Sequence, residues 1–275
     1  MPIVCATRDA KVGGSGLTGK PTGRAGVLER AFDLLECFTA DEPILSAAEI
    51  AQRTGLAVSS VHRLLAKLLA AGYVEKVPPQ RYSVGLKLWK VGELNPALLE
   101  LRENALPHML RLYEATGENI QLAVVDGWTP QAARALYIAR VVSVSSVATL
   151  TRIGGAFPLH TTGVGKALLA AQDREWLAEY IRVGLVKETQ FSLTNGSDLI
   201  RDLEKARARG YATVREEMTL GTASVAVAFD RVAHLPAAAI GVVTEVSRFR
   251  ERELGAMVLA AAQKLHAMLR DQFDR

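Results

Sequence analysis

The chain has 275 residues, a formal net charge of +4 and 49% hydrophobic side chains, enough for two domains with real cores, and it holds no apolar run near the roughly 18 residues of a membrane span. Its cysteines, Cys5 and Cys37, form neither a disulfide framework nor a metal-ligand spacing. The opening MPIVCATRDAKVGGSGLTGK lacks the apolar core of a secretory signal, so a cytoplasmic protein is expected.

Residues 1–95 hold 12 Lys/Arg against 9 Asp/Glu, and residues 96–275 hold 21 against 20. The basic excess therefore sits in the N-terminal third. It is too small to argue for nucleic acid by itself, because a sequence-specific binder needs charges placed rather than numerous. Residues 1–24 lack periodicity and read as a flexible basic tail. Its Arg8, Lys11, Lys20 and Arg24 fit either phosphate contact or simple solvation. Residues 25–85 read as one small domain. Val27, Ala31, Leu34, Leu35 and Phe38 mark a helix that ends before the Asp41-Glu42-Pro43 turn.

The stretch Ser46–Gly72, SAAEIAQRTGLAVSSVHRLLAKLLAAG, predicts two helices joined by a tight turn. Ser46 and Glu49 have capping-box spacing. Ala51, Gly55, Val61 and Leu64 fall where a helix-turn-helix needs a small residue, a turn glycine and two anchors. On the second helix Val61, Leu64, Leu65, Leu68 and Leu69 share one side. Ser59, Arg63 and Lys67 stack on the other, with Ser60 close by and His62 at the boundary. Hydroxyls and a guanidinium near a helix N-terminus reach base edges, and a lysine further along reaches phosphate. An amphipathic helix with a solvated basic face fits the same pattern. YVEKV, PPQ and RYSVG then predict a hairpin, the wing of a winged helix. Ser46, Lys76 and Arg81 join the candidate DNA contacts, the last two as residues flanking the wing tip.

Residues 86–95 predict a linker helix, GLKLWKVGEL, too apolar to be idle and expected to be partly buried against a second subunit. Residues 96–275 read as a second domain. A helix runs from Pro96 to about Thr116 with Leu98, Leu101, Leu106, Leu110 and Tyr113 on its buried face. ENIQLAVVDG, RALYIARVV and SVSSVATLTRIG predict three strands. GAFPLHTTGVGKALLAA is a loop leading into a helix, and further helices fall near Arg174–Arg182 and Asp198–Gly210. YATVREEM, SVAVAFD and AAAIGVVTE are strands, and a long amphipathic helix, Glu251 to Phe273, closes the chain. The fold class is α+β in two domains, the second an antiparallel sheet flanked by helices.

In these pieces the chain resembles the isocitrate lyase regulator (IclR) family of bacterial transcription factors, from about Gly26 to Leu269. The resemblance rests on VLERAFDLLECF, SAAEIAQRTGLAVSSVHRLLAKLLAAGYVEK, RYSVGLKLWKVG, GGAFPLHTTGVGKALLA and RGYATVREEMTLGTASVAVAFD, in that order. It implies an N-terminal winged helix-turn-helix and a C-terminal effector-binding domain with a GAF/profilin-like sheet. It also implies homodimers, often tetramers, on palindromic double-stranded operators. In such regulators a small acid or aromatic ligand sits between the sheet and the PLHxxxxGKAL loop. Here Gly163 and Val164 stand at that position, where free backbone N–H groups suit a carboxylate, or where a helix start simply packs on the sheet. GVGK is too short for a nucleotide-binding P-loop.

Family members often carry Cys where Ser224 stands, serines where Gly241 and Val243 stand, and an acidic residue at Val214, before Glu216. These departures predict a larger and less polar pocket suited to an aromatic carboxylate. Trp128 and Tyr137 are offered as lining, or as buried core aromatics. No cofactor, metal site or catalytic residue is expected. His62, His108, His160, His234 and His266 share no ligand spacing, and His160 in PLHTTG has no nucleophile elbow beside it. Two other readings stay open: an enzyme acting on a small acid, and a winged helix that binds protein.

Overall fold

The computed structural model describes residues 26–39, 41–147, 149 and 151–273. The tail readings at Arg8, Lys11, Lys20 and Arg24, and Cys5, lie outside the described residues. The chain divides into two compact units between Leu88 and Trp89, each described by itself.

The first unit opens with α1 (Val27–Glu36), followed by β1 (Ile44–Ser46) and α2 (Ala47–Thr54). The capping box at α2 is formed: Glu49 N donates to Ser46 Oγ at 3.2 Å, and Ser46 N donates to Glu49 Oε2 at 2.6 Å. Gly55 ends α2 at φ 69° and Gly72 ends α3 (Val58–Ala71) at φ 77°. Both are left-handed positions, where a side chain would be strained. β2 (Val74–Val77) and β3 (Arg81–Val84) form the wing. β3 is the central strand, pairing Tyr82 with Leu45 on one side and with Lys76 on the other. Leu34, Leu45, Ile50, Val61, Leu65 and Val74 fill the core. Emptying the Leu65 site, which is fully buried, would cost about 2–5 kcal/mol.

α4 (Leu86–Gly92) carries the chain into the second unit. Its Leu86, Trp89 and Val91 are more than half exposed in the single chain. α5 (Pro96–Thr116) follows, capped by Asn95. Its buried face is Leu101, Ala105, His108, Met109 and Leu112, whereas Leu106 and Leu110 are exposed. Of the expected face, Leu101 is buried and Leu98 and Tyr113 pack at the edge of the core, while the small Ala105 and the flexible Met109 take the places expected for Leu106 and Leu110.

The sheet is six-stranded and antiparallel, in the order β6-β5-β4-β9-β8-β7. Its strands are β4 (Asn119–Asp126), β5 (Arg134–Val141) and β6 (Ala156–Pro158), then β7 (Ala212–Arg215), β8 (Thr222–Phe229) and β9 (Ala238–Glu245). The described residues of SVSSVATLTRIG form no strand, and the strand that pairs with β5 on that side is Ala156–Pro158. In that segment Asn119 is the local organiser: its Nδ2 donates to Val147 O at 2.8 Å and its Oδ1 accepts from Ser143 N at 3.1 Å. These bonds satisfy the backbone without a neighbouring strand.

Sheet residues alternate between two cores. Ile120, Leu122, Val225, Val227, Ile240 and Val242 face α5 and the closing helix α9 (Glu251–Phe273). The opposite face is built of small residues, Ala123, Ala135, Ala226 and Ala239, under α6 (Gly163–Ala170), α7 (Arg174–Arg182) and α8 (Gly196–Arg209). Alanines on that face let α6 lie close to the strands. A cavity opens where α6 begins.

Candidate functional site

Two arrangements stand out, one in each unit. On α3, Ser59, His62, Arg63 and Lys67 are exposed and Ser60 is half-buried, while Val61, Leu64 and Leu65 are buried. The 3.6-residue period thus separates an anchoring side from a polar side. Among the described residues the side chains of Ser59, His62, Arg63 and Lys67 have no hydrogen-bond or ion-pair partner. Lys76, exposed on β2, has none either.

Two of the proposed DNA contacts are corrected. Arg81 does not stand free at the wing tip. Its Nη2 donates to Glu49 Oε2 at 2.9 Å and to Ile44 O at 2.8 Å, so it ties the wing to the start of α2. Ser46 is the cap of α2, its Oγ and N–H both engaged by Glu49. The Ser46 backbone and side-chain bonds, with Arg81 beside them, hold the Glu49 carboxyl below its usual range.

The second arrangement is a cavity of about 40 Å³ at the start of α6. Gly163 and Ser224 meet there, and Tyr137, Val214 and Val243 complete the part that the sequence picked out. Gly163 is required by close approach: a Cβ on it would stand 2.4 Å from Ser224 Oγ. The rest of the lining was missed. Gln121 comes from β4, Thr149 and Thr151 from the segment after β5, Thr161 and Thr162 from the turn before α6, Met218 and Thr219 from the β7–β8 connection, and Thr222 from the start of β8. Among the described residues no charged side chain lines the cavity. Thr162 caps α6, accepting from Gly165 N at 3.2 Å. Burial drives the pKa of the Tyr137 hydroxyl upward, against the effect of Thr162. The Thr149 hydroxyl is buried with no hydrogen-bond partner among the described residues.

The lining is mixed: Val214, Met218 and Val243 are apolar, and threonines from other segments supply hydroxyls. Trp128 is fully exposed on the β4–β5 turn, away from the lining. Val164 is buried and packs on the sheet instead, since a Cβ on Gly241 would stand 3.1 Å from Val164 Cγ1. Gly241 thus makes room for α6. Glu216, at φ 57°, folds the β7–β8 connection, its Oε1 accepting from Gly221 N at 2.8 Å. The threonines were missed because each is unremarkable in its own segment, even though Thr161 and Thr162, and Thr219 and Thr222, lay in two of the motifs already quoted.

Outside the lining of the cavity lies a charged cluster. Lys166 of α6 is 1% exposed, and its Nζ donates to Asp202 Oδ2 and Glu217 Oε1, each at 2.7 Å. Burial still pushes the Glu217 pKa up, against the pull of Lys166, and Glu217 Oε2 has no hydrogen-bond partner. His160 is buried between the Tyr180 hydroxyl, 2.7 Å from Nδ1, and the Val186 carbonyl, 2.9 Å from Nε2. Burial lowers its pKa, and the neutral ring fits those partners, donating from Nε2 and accepting at Nδ1. Tyr180, pushed up to about 12 by burial, stays a donor. Among the described residues no group of three or more His, Cys, Asp or Glu side chains is placed to hold a metal, and no helix is long and apolar enough to cross a membrane.

Comparison with known proteins fits both arrangements. Residues 27–78 match the IclR helix-turn-helix domain, and residues 97–267 match the C-terminal domain of the bacterial transcriptional regulator IclR. The chain is 33% identical over 263 residues to the HTH-type transcriptional regulator BhcR of Paracoccus denitrificans, covering 90% of this chain and 92% of that one. It is 31% identical over 253 residues to the transcriptional repressor IclR of Escherichia coli, covering 90% and 91%. Among solved structures it is similar to an IclR homolog from Microbacterium hydrocarbonoxydans complexed with 4-hydroxybenzoate. That match has a TM-score of 0.80 and 26% identity over 90% of this chain and all of that one. Both matched domains are those of regulators rather than of enzymes, and the chain belongs to the IclR family of bacterial transcriptional regulators.

Proposed function

We propose that this chain is a one-component switch in which the outer face of α3 reads operator DNA and the cavity at α6 takes a small organic carboxylate, on behalf of a catabolic operon. The observation that carries the proposal is the contrast between the faces. Arg63 and Lys67 face outward without a protein partner, while the cavity holds hydroxyls and the Gln121 amide without a charged competitor. Arg63 and Ser59 are placed for base edges, with His62 beside them, and Lys67 and Lys76 for phosphates. In the cavity a carboxylate would accept from Thr149, whose hydroxyl has no other partner among the described residues, from Gln121, and from backbone N–H groups at the start of α6. The Microbacterium relative's complex with 4-hydroxybenzoate supports a carboxylic acid as the class. A volume of about 40 Å³ is room for only a few water molecules. An aromatic acid therefore enters only if the segments carrying Met218 and Thr149 move outward.

On the same reading the chain works as a homodimer, with a tetramer as the next assembly. The exposed Leu28 and Phe32 of α1, and Leu86, Trp89 and Val91 of α4, are large apolar side chains that a second copy would cover. Two copies of α3 would enter major grooves one helical turn or a multiple apart. Effector binding then shifts the population of DNA-competent dimers, with a coupling of about 1–3 kcal/mol typical of such linkage. The test pairs footprinting of DNA upstream of the gene with calorimetry on glyoxylate, pyruvate, benzoate and 4-hydroxybenzoate. One acid should bind and change operator affinity by about 5–150-fold. Binding of the matching neutral amides in place of every acid would overturn the carboxylate assignment. Absence of any protected DNA would overturn the operator reading.

A further inference from the structure

We infer that Arg30 of α1, together with Lys67 of α3, forms a seat for one backbone phosphate of duplex DNA beside the base-reading Arg63, so that a helix outside the reading helix contributes a contact. The inference rests on the proposal that α3 docks on DNA. A hollow of about 360 Å³ lies between the two helices, lined by Val27, Arg30, Ser60, Arg63, Leu64 and Lys67. The α3 residues are spaced i, i+3, i+4 and i+7, which is one edge of a helix. Val27 and Arg30, spaced i and i+3, close the other side. Leu64 is buried and gives the hollow an apolar floor; the rim is cationic.

Among the described residues the charges there are uncompensated, and no Asp or Glu lines the hollow. Arg63 and Lys67 have no partner among the described residues. Among those residues Arg30 donates only its Nε, to Gly26 O at 3.2 Å, and both terminal nitrogens are left to a ligand. The adjacent acid, Glu29, is engaged with Gly26 N at 2.6 Å. Three cations around one hollow repel one another, and an anion resolves that repulsion. A phosphate suits the seat better than a base edge. At about 100° per residue Ser60 and Lys67 lie some 80–100° around α3 from Ser59, at the margin of the reading face. The DNA backbone flanks the groove at such a margin, and phosphate contacts set register there without reading sequence. Ser60 adds a hydroxyl donor to the Arg30 guanidinium and the Lys67 ammonium.

The experiment uses the full chain and two duplexes: one enriched from a random pool by the wild-type protein, and one of unrelated sequence. Affinities are measured across a salt series for wild type, Arg30→Gln, Arg30→Lys and Arg63→Ala, with thermal melting as the check on folding. Arg30→Gln should weaken both duplexes by the same factor, about tenfold, and lower the slope of log affinity against log salt by about one. Arg30→Lys should restore most of the slope. On the enriched duplex, a single neutral methylphosphonate should weaken wild type at one position and leave Arg30→Gln unaffected there. Unchanged affinity and slope for Arg30→Gln, with operator binding lost in Arg63→Ala, would overturn the seat and leave the DNA reading standing. A loss confined to the enriched duplex would also overturn it, because that is base readout. If wild type enriches no duplex, the DNA reading fails, and the seat with it.

Discussion

The two sites handle charge in opposite ways. On α3 the cations Arg63 and Lys67 stand in solvent without partners. In the second unit Lys166 of α6 is buried and clamped by Asp202 and Glu217, outside the lining of a neutral, hydroxyl-bearing space. An outward site meets a polyanion and gains from leaving its charges free. An inward site must avoid stranding a charge when it is empty, because an unpaired buried ion is far more costly than an unpaired hydroxyl. The difference shows that Lys166, although it lies in the most recognisable motif of the domain, works as a brace that holds α6 against α8 and the β7–β8 connection.

The largest effect should come from breaking that brace. Lys166→Met leaves Glu217 and Asp202 together without a counter-ion. Removing one partner of a buried pair typically costs about 3–5 kcal/mol. Urea denaturation of the full chain, followed by the fluorescence of Trp176 in a background with Trp89 and Trp128 replaced by Phe, should show a loss of that order. Glu217→Gln should cost less, since burial already favours the protonated form of Glu217. A loss under about 1 kcal/mol for Lys166→Met would mean that water reaches the cluster, and the contrast between the two sites would fail.

Arg63→Ala tests the outward half. Arg63 holds nothing in place, so the melting temperature should not move. Specific operator affinity should fall by roughly 100-fold, the upper range for one bidentate base contact, with effector binding unchanged. Equal operator affinity in a gel-shift titration would remove Arg63 from the reading face. This half of the molecule was legible in the sequence because one 14-residue helix carries the whole face, and period 3.6 alone sorts it. The Ser46–Glu49 cap was legible too, as a local i, i+3 spacing. What was not legible was the use of Arg81, because Glu49 lies within its reach only once β3 has paired with β1.

The cavity teaches the complementary lesson. The strands and helices around it were mostly placed correctly from alternation and caps, yet its walls come from segments between Gln121 and Val243, over a hundred residues apart. No local period links Thr151 to Ser224. The motif reading also misjudged Gly241 and Val164, whose small volumes serve the packing of α6. Gly163 connects the two views. Gly163→Ala should close the cavity against Ser224, weakening effector binding by about tenfold or more while costing stability about 1–3 kcal/mol through overpacking. Adding Ser224→Gly removes the opposing Oγ and should recover part of both. Calorimetry on the single and double variants decides it; no recovery would place the strain elsewhere in the helix start.

The smallest effect concerns His160, the one buried side chain near the site that titrates close to neutrality. Its folded pKa lies below the ordinary 6.5 because burial disfavours the imidazolium. The unfolded chain therefore takes up a proton before the folded chain does. Above pH 6.5 neither state is protonated and the contribution to stability is complete. As pH falls through 6.5 toward the folded value, stability is lost, with a slope no steeper than about 1.4 kcal/mol per pH unit for one proton. His160→Gln should flatten this limb of the curve, while the Tyr180 and Val186 contacts keep an amide partner. Burial also lowers the pKa of His108 on α5, so His108→Gln should remove a further part of the same limb. A His160→Gln curve that keeps the whole limb would assign the acid sensitivity to His108 and not to the buried turn before α6.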